Sequence, residues 1–196
     1  MGRVMLCALP LCLAAAQVIE FESGGLKYRT LTRNGVTVMF ARMPSGVRGY
    51  AVLQTAVSNG SSRTWKFRPE DFTFRAAGGG ELQALPARAV VADFIERGNR
   101  DDVVKLVSTY EAGLYGITRP GAVNGYEQRR QAALAEVHST RLKAAAAASA
   151  IAFVETVLRP GESTDGAIFF PAAGKPLGPG HLVVRAAGAT FEFPIE

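Results

Sequence analysis

Leu26-Lys27-Tyr28-Arg29-Thr30-Leu31-Thr32-Arg33-Asn34-Gly35-Val36-Thr37-Val38-Met39-Phe40-Ala41-Arg42-Met43 is the stretch that decides the fold. Two β-prone runs, Leu26 to Thr32 and Val36 to Met43, flank Asn34-Gly35. A type I′ turn needs positive φ at both central residues, and Asn-Gly accepts that at little cost. The stretch therefore predicts a β-hairpin, with Val36, Val38 and Phe40 sharing one face.

Outward from the hairpin the chain keeps a β character to about residue 80. Tyr50 to Ser58 is a second apolar run closed by Asn59-Gly60-Ser61-Ser62, and Trp65, Phe67, Phe72 and Phe74 follow around Pro69. Gly78-Gly79-Gly80 closes the block as a hairpin turn. It lacks the Lys-Ser/Thr and the parallel βαβ setting of a phosphate loop.

Residues 87–148 read as helical. Ala87 to Arg97 carries Val90/Phe94 and Val91/Ile95 at i,i+4 spacing. Asn99 is a predicted N-cap, with Asp101-Asp102 in the favourable first turn. Val103, Leu106, Val107, Tyr110 and Leu114 form an apolar stripe. Residues 116–125 form a Gly/Pro loop. Tyr126 to Ala148 reads as an Ala-rich helix with a thin apolar face, expected to lie on the surface.

Residues 150–195 return to β. Ala152 to Leu158 reads as a strand, although Ile151, Val154 and Leu158 also fit a helical stripe. Turns at Pro160–Ser163 and Thr164–Gly166 precede Ala167 to Phe170. A loop over 171–181 leads to a last hairpin, His181 to Arg185 and Thr190 to Ile195, with Phe191, Phe193 and Ile195 on one face. An isolated terminal hairpin would be marginal. Both β segments therefore build one sandwich, whose expected core includes Trp65, Phe72, Phe74, Phe169, Phe191 and Phe193.

The run Leu158-Arg159-Pro160-Gly161-Glu162-Ser163-Thr164-Asp165-Gly166-Ala167-Ile168-Phe169-Phe170 resembles a recurring element of bacterial secreted immunoglobulin-like domains of the telokin-like kind. Those carry "Leu-x-Pro-Gly-Glu/Gln-Ser" and then "Gly-x-Val-x-Phe". Val57-Ser58-Asn59-Gly60-Ser61 and Pro69-Glu70-Asp71-Phe72-Thr73-Phe74 resemble two of their strands. The resemblance covers roughly 30–85 and 150–195. It implies an immunoglobulin-like antiparallel β-sandwich, mainly β within an α+β class, with two to three helices inserted between strands at about 87–148. It carries over no functional residue.

The start of the chain addresses location. Arg3, the apolar Val4 to Leu13 and Ala14-Ala15-Ala16 make a signal peptide over 1–16, with cleavage before Gln17 and a single domain over 17–196. The apolar run is shorter than the ~20 residues that span a bilayer. Cys7 and Cys12 fall inside it, and neither has the lipobox spacing of a lipoprotein. The exported chain, periplasmic or extracellular, would then hold no cysteine and no thiol chemistry.

Chemistry is sparse. The 196 residues are 48% hydrophobic and 20% charged, which excludes a disordered chain and a multispan membrane protein. The net charge of +5 is scattered, with Arg129-Arg130 the one adjacent basic pair, so no nucleic-acid footprint is drawn. His138 and His181 have no metal-ligand spacing, and Gly161–Asp165 is not a G-x-S-x-G elbow. No catalytic, cofactor or metal residue is assigned. Asn59-Gly60-Ser61 matches a glycosylation sequon.

The expected function is a non-catalytic extracytoplasmic interaction module whose partner is another extracytoplasmic protein. Its predicted binding residues are Arg129, Arg130 and Arg141 on the long helix. Two rivals stand beside it. One is an accessory or inhibitory domain presenting the 171–181 loop to a secreted enzyme. The other is a hydrolase using Glu111.

Overall fold

A computed structural model describes residues 17–44, 46–114, 139–173 and 175–196, with side chains up to residue 107 in the second of these stretches. Eleven strands are seen: β1 Ile19–Ser23, β2 Leu26–Arg33, β3 Val36–Arg42, β4 Tyr50–Asn59, β5 Trp65–Phe67, β6 Phe72–Ala76, β7 Glu81–Gln83, β8 Thr156–Leu158, β9 Ser163–Pro171, β10 Gly180–Ala186 and β11 Ala189–Ile195. Among the described residues, three helices lie between β7 and β8: α1 Ala87–Arg97, α2 Arg100–Leu114 and α3 Thr140–Ile151. The fold is mainly β, with antiparallel sheets and an inserted helical layer.

The expected hairpin is present. Asn34 and Gly35 have φ of 52° and 76°, the two positive values a type I′ turn requires. Strand order is β1-β2-β3-β4-β9 in the larger sheet and β11-β10-β6-β7 in the smaller. β5 and β8 form a separate ribbon. β1 was not anticipated: its Ile19-Glu20-Phe21-Glu22 alternation closes through Gly24-Gly25 onto β2.

The two sheets enclose an aromatic core containing Phe40, Phe67, Phe72, Phe74, Phe153, Phe170, Phe191 and Phe193. Phe40 and Phe193 meet edge to face, 5.0 Å apart, one from each sheet. Four of the six expected core residues behave as read. Trp65 is only partly buried at the margin, its Nε1 donating to Ser61 Oγ at 3.0 Å. Phe169 is buried on the other face of its strand, because β9 is covered on both sides and alternate residues point to different cores.

That other face carries the helices. Tyr28, Ala41, Tyr50, Val52, Ala167 and Phe169 pack against Val90, Phe94, Leu106 and the alanines of α3. Two expectations are corrected here. Within the described part of the long helix, Ala144, Ala145, Ala147, Ala148 and Ala150 are buried rather than on the surface. Methyl-sized side chains let backbones approach closely, so a face with little apolar area still becomes an interface. The helix also runs to Ile151, past the expected end at Ala148, and of the strand expected over Ala152 to Leu158 only the last three residues, Thr156–Leu158, are strand. Ala152 makes only an isolated parallel bridge to Ala167.

Candidate functional site

The helical layer is fastened to the sheet by a polar cluster above β4. Arg48, at positive φ in the β3–β4 loop, donates from Nε to Asp102 Oδ2 at 3.1 Å and from Nη2 to the Arg97 carbonyl. Asp102 is itself placed by the helix start. Asn99 N donates to Asp102 Oδ2 at 3.0 Å and Asp102 N to Asn99 Oδ1 at 2.9 Å, a reciprocal cap at the residue read as the N-cap. On α1, Asp93 accepts from Tyr50 Oη at 3.0 Å and pairs with Arg97. Burial raises the pKa of the Tyr50 phenol, and the fields of Arg97 and Arg48 pull the other way. Tyr50 therefore remains a neutral donor at ordinary pH. Every group here has a protein partner, so the cluster works as a latch between loop and helices.

A second polar hub sits at the opposite end of β4. Asn59 is fully buried, donating from Nδ2 to the carbonyls of Arg63 (2.7 Å) and Leu158 (2.9 Å) and accepting from Ser61 N and Oγ. Its backbone meets the Gly161–Glu162 turn. The sequon is thus a structural knot whose amide is inaccessible in the folded chain. The turn motif of the resemblance is half of the same knot: Glu162 Oε2 accepts from Arg159 N at 2.7 Å.

Of the predicted partner-binding residues, Arg141 alone falls among the described residues. Arg141 is exposed on the first turn of α3, while Arg129 and Arg130 lie outside the described residues. The Glu111 and Tyr110 side chains and His138 also lie outside them. His181 is exposed on β10, opposite Arg75 and Pro194. The 171–181 loop is tied down rather than projecting. Leu177 enters the inter-sheet core, and Ala172 N donates to Gly49 O at 3.0 Å. Among the described residues, no group of three His, Cys, Asp or Glu could hold a metal, and no helix is long and apolar enough to cross a membrane.

The exposed large apolar side chains are the features composition could not locate. Among the described residues, Ile95, Val104 and Leu142 lie one on each helix, Ile19 and Phe21 lie on β1, and Val157 lies alone on β8. The alternation at 19–22 is the signal that could have found the second group. No protein-family model, curated protein or solved structure matches the chain.

Proposed function

We propose that the chain is an exported, non-catalytic interaction module: an immunoglobulin-like sandwich of the telokin-like kind whose helical layer meets another extracytoplasmic protein. The strand order supports the fold part. An immunoglobulin constant-type domain pairs A-B-E-D in one sheet and C-F-G in the other, and a C′ strand can extend the second. With β3 and β4 as A and B, β6 and β7 as C and C′, β9 as E, and β10 and β11 as F and G, the observed orders give A-B-E and G-F-C-C′. Among the described residues, the chain between C′ and E, where such a domain has strand D, forms α1 to α3 and the short β8, which pairs with β5. β1 and β2 extend the sheet beyond A.

The observation that carries the functional part is the two-sidedness of the helical layer. Its alanine side is buried in the core between helices and sheet, while Ile95, Val104 and Leu142, one on each helix, are 47, 58 and 49% exposed. Contiguous exposed apolar surface marks interaction sites more often than single residues do. Arg141 adjoins Leu142 and supplies the charged rim.

Pull-down from the extracytoplasmic fraction tests this. Replacing Arg129, Arg130 and Arg141 by Glu, and separately Leu142 by Asp, is expected to abolish partner recovery at unchanged melting temperature. Equal recovery of the same partners by all variants overturns the helical surface. Intact mass of exported protein tests the rest: a first residue at Gln17 is expected, and a retained Met1 defeats the export reading.

A further inference from the structure

We infer that the outer edge of β1 accepts an extended segment of a partner protein, added as a sixth strand, whose side chains alternate apolar and basic. This goes beyond the helical-layer reading and does not depend on it.

The two large sheets have four edges, and three are closed. β7 is only three residues long. β11 carries Pro194, and Arg29 and Arg42 of the facing sheet donate to the carbonyls of Pro194 and Glu196. β9 is capped by two backbone donors, Leu85 N to Phe169 O and Phe153 N to Ala167 O, both at 2.9 Å. These are the ways proteins blunt an edge: shortness, proline, charge and a covering segment. β1 lacks the shortness, the proline and, among the described residues, the covering segment, and its charges, Glu20 and Glu22, lie on one face only. It is five residues long, holds neither Lys nor Pro, and among the described residues pairs on one side only, with β2. Alternate residues of such a strand turn their N–H and C=O groups outward as a template.

The side chains say what the template takes. Ile19 is 62% and Phe21 40% exposed, and Phe21 stacks on Tyr28 at 5.4 Å. A neighbouring apolar side chain would extend that row. The other face presents Glu20 and Glu22, already flanked from β2 by Arg29 and Lys27. A new strand bearing cations opposite them would complete a basic–acidic–basic ladder. A second copy of this chain is a poor occupant. Antiparallel pairing of two β1 strands that keeps apolar residues on one face sets Glu20 against Glu22 of the other copy, or like residues against each other, and facing like charges destabilise.

The experiment titrates the full chain with a seven-residue peptide alternating lysine and valine, and with a control alternating glutamate and valine. Amide hydrogen exchange is read residue by residue. The expected result is slowing of about tenfold at outward-facing β1 amides at 90% saturation with the lysine peptide, none with the control, and none on α1 to α3. Glu22→Gln should weaken the lysine peptide about two- to fivefold at unchanged melting temperature. Protection by both peptides, protection elsewhere without β1, or concentration-dependent self-protection of β1 without peptide would each overturn the proposal. None of these touches the helical-layer reading, which is tested on Arg141 and Leu142.

Discussion

The inner face of the five-stranded sheet meets the second sheet through aromatic rings, while its outer face is covered by a layer whose helices meet one another through methyl groups. Phe40, Phe170 and Leu53 point inward to Phe72, Phe191 and Phe193. Ala41 and Ala167 point outward to Ala144, Ala147 and Ala148, with Phe94, Tyr50 and Phe169 gathered at one end. The difference follows from spacing. Facing sheets lie about 10 Å apart, so large side chains must fill the gap. Alanine faces instead let the helices close on one another within their layer. Gly98, at the end of α1, marks how near α1 and α3 come: a Cβ there would sit 2.7 Å from the Ala144 Cβ. One face should therefore fail when atoms are removed, and the other when they are added.

The largest expected effect breaks the aromatic side. Phe193→Ala should destabilise by about 3–5 kcal/mol, read by urea unfolding, because the residue is fully buried against Phe40 and a cavity remains. A loss under 1 kcal/mol would mean that the sheets are not packed through this pair. Next comes overfilling of the helical side. Ala148→Leu should cost about 1–3 kcal/mol by displacing α3 from the core it shares with α1, α2 and the sheet. Gly166→Ala is also an overfilling, on the inner face that Gly166 shares with Ile168 and Phe170. Its Cβ would stand 2.5 Å from the Phe153 Cα, where backbone rather than a flexible tip must move. If Ala148→Leu raised stability, α3 would not be seated as described.

This asymmetry also explains what was legible in the sequence. The inner face announces itself by period-two alternation, as in Val36-Val38-Phe40 and Phe191-Phe193-Ile195, and by the Asn34-Gly35 turn. The helices α1 and α2 were legible from their stripes and from Asn99. The seat of α3 was not, since hydropathy scales count alanine as nearly neutral while packing treats it as permission for close contact. β9 misled for the opposite reason. Buried on both faces, Ala167 to Phe170 shows no alternation, so the side facing the helices could not be told from the side facing the sheet. The Arg48–Asp102 and Tyr50–Asp93 contacts join residues 54 and 43 positions apart, and no local pattern reports such pairs.

A smaller effect comes from the latch between loop and helices. Tyr50→Phe keeps the ring between Phe94 and Phe169 and removes only the donation to Asp93, a cost of about 1.5–3 kcal/mol for a bond to a charged acceptor, toward the low end at this partly open site. The phenol pKa is raised in the folded chain, so the folded state keeps its proton when the unfolded state releases it. The contribution is therefore complete below about pH 10, the ordinary tyrosine value, and declines as pH rises through the folded pKa. The stability gap between wild type and Tyr50→Phe should narrow above pH 10. A gap that stayed constant to pH 11.5 would show that Tyr50 is not the titrating group.

The smallest effect separates packing from propensity on the helix itself. Ala148 and Ser149 are neighbours on α3, one buried against the sheet and the other exposed. The same chemical exchange, run in opposite directions, should give opposite signs and unequal sizes. Ser149→Ala gains only intrinsic helix propensity, about 0.5 kcal/mol, because alanine surrenders no side-chain freedom and its methyl meets solvent. In a chain of this length that raises the melting temperature by about 1–2 °C. Ala148→Ser loses the same propensity and also buries a hydroxyl. That hydroxyl must find a carbonyl on its own helix or remain unpaired, at a further cost of about 1–3 kcal/mol. Propensity acting alone would make the two changes equal and opposite. Inequality measures how much of α3 is held by its buried seat, and equal magnitudes would move the alanine face out of the core.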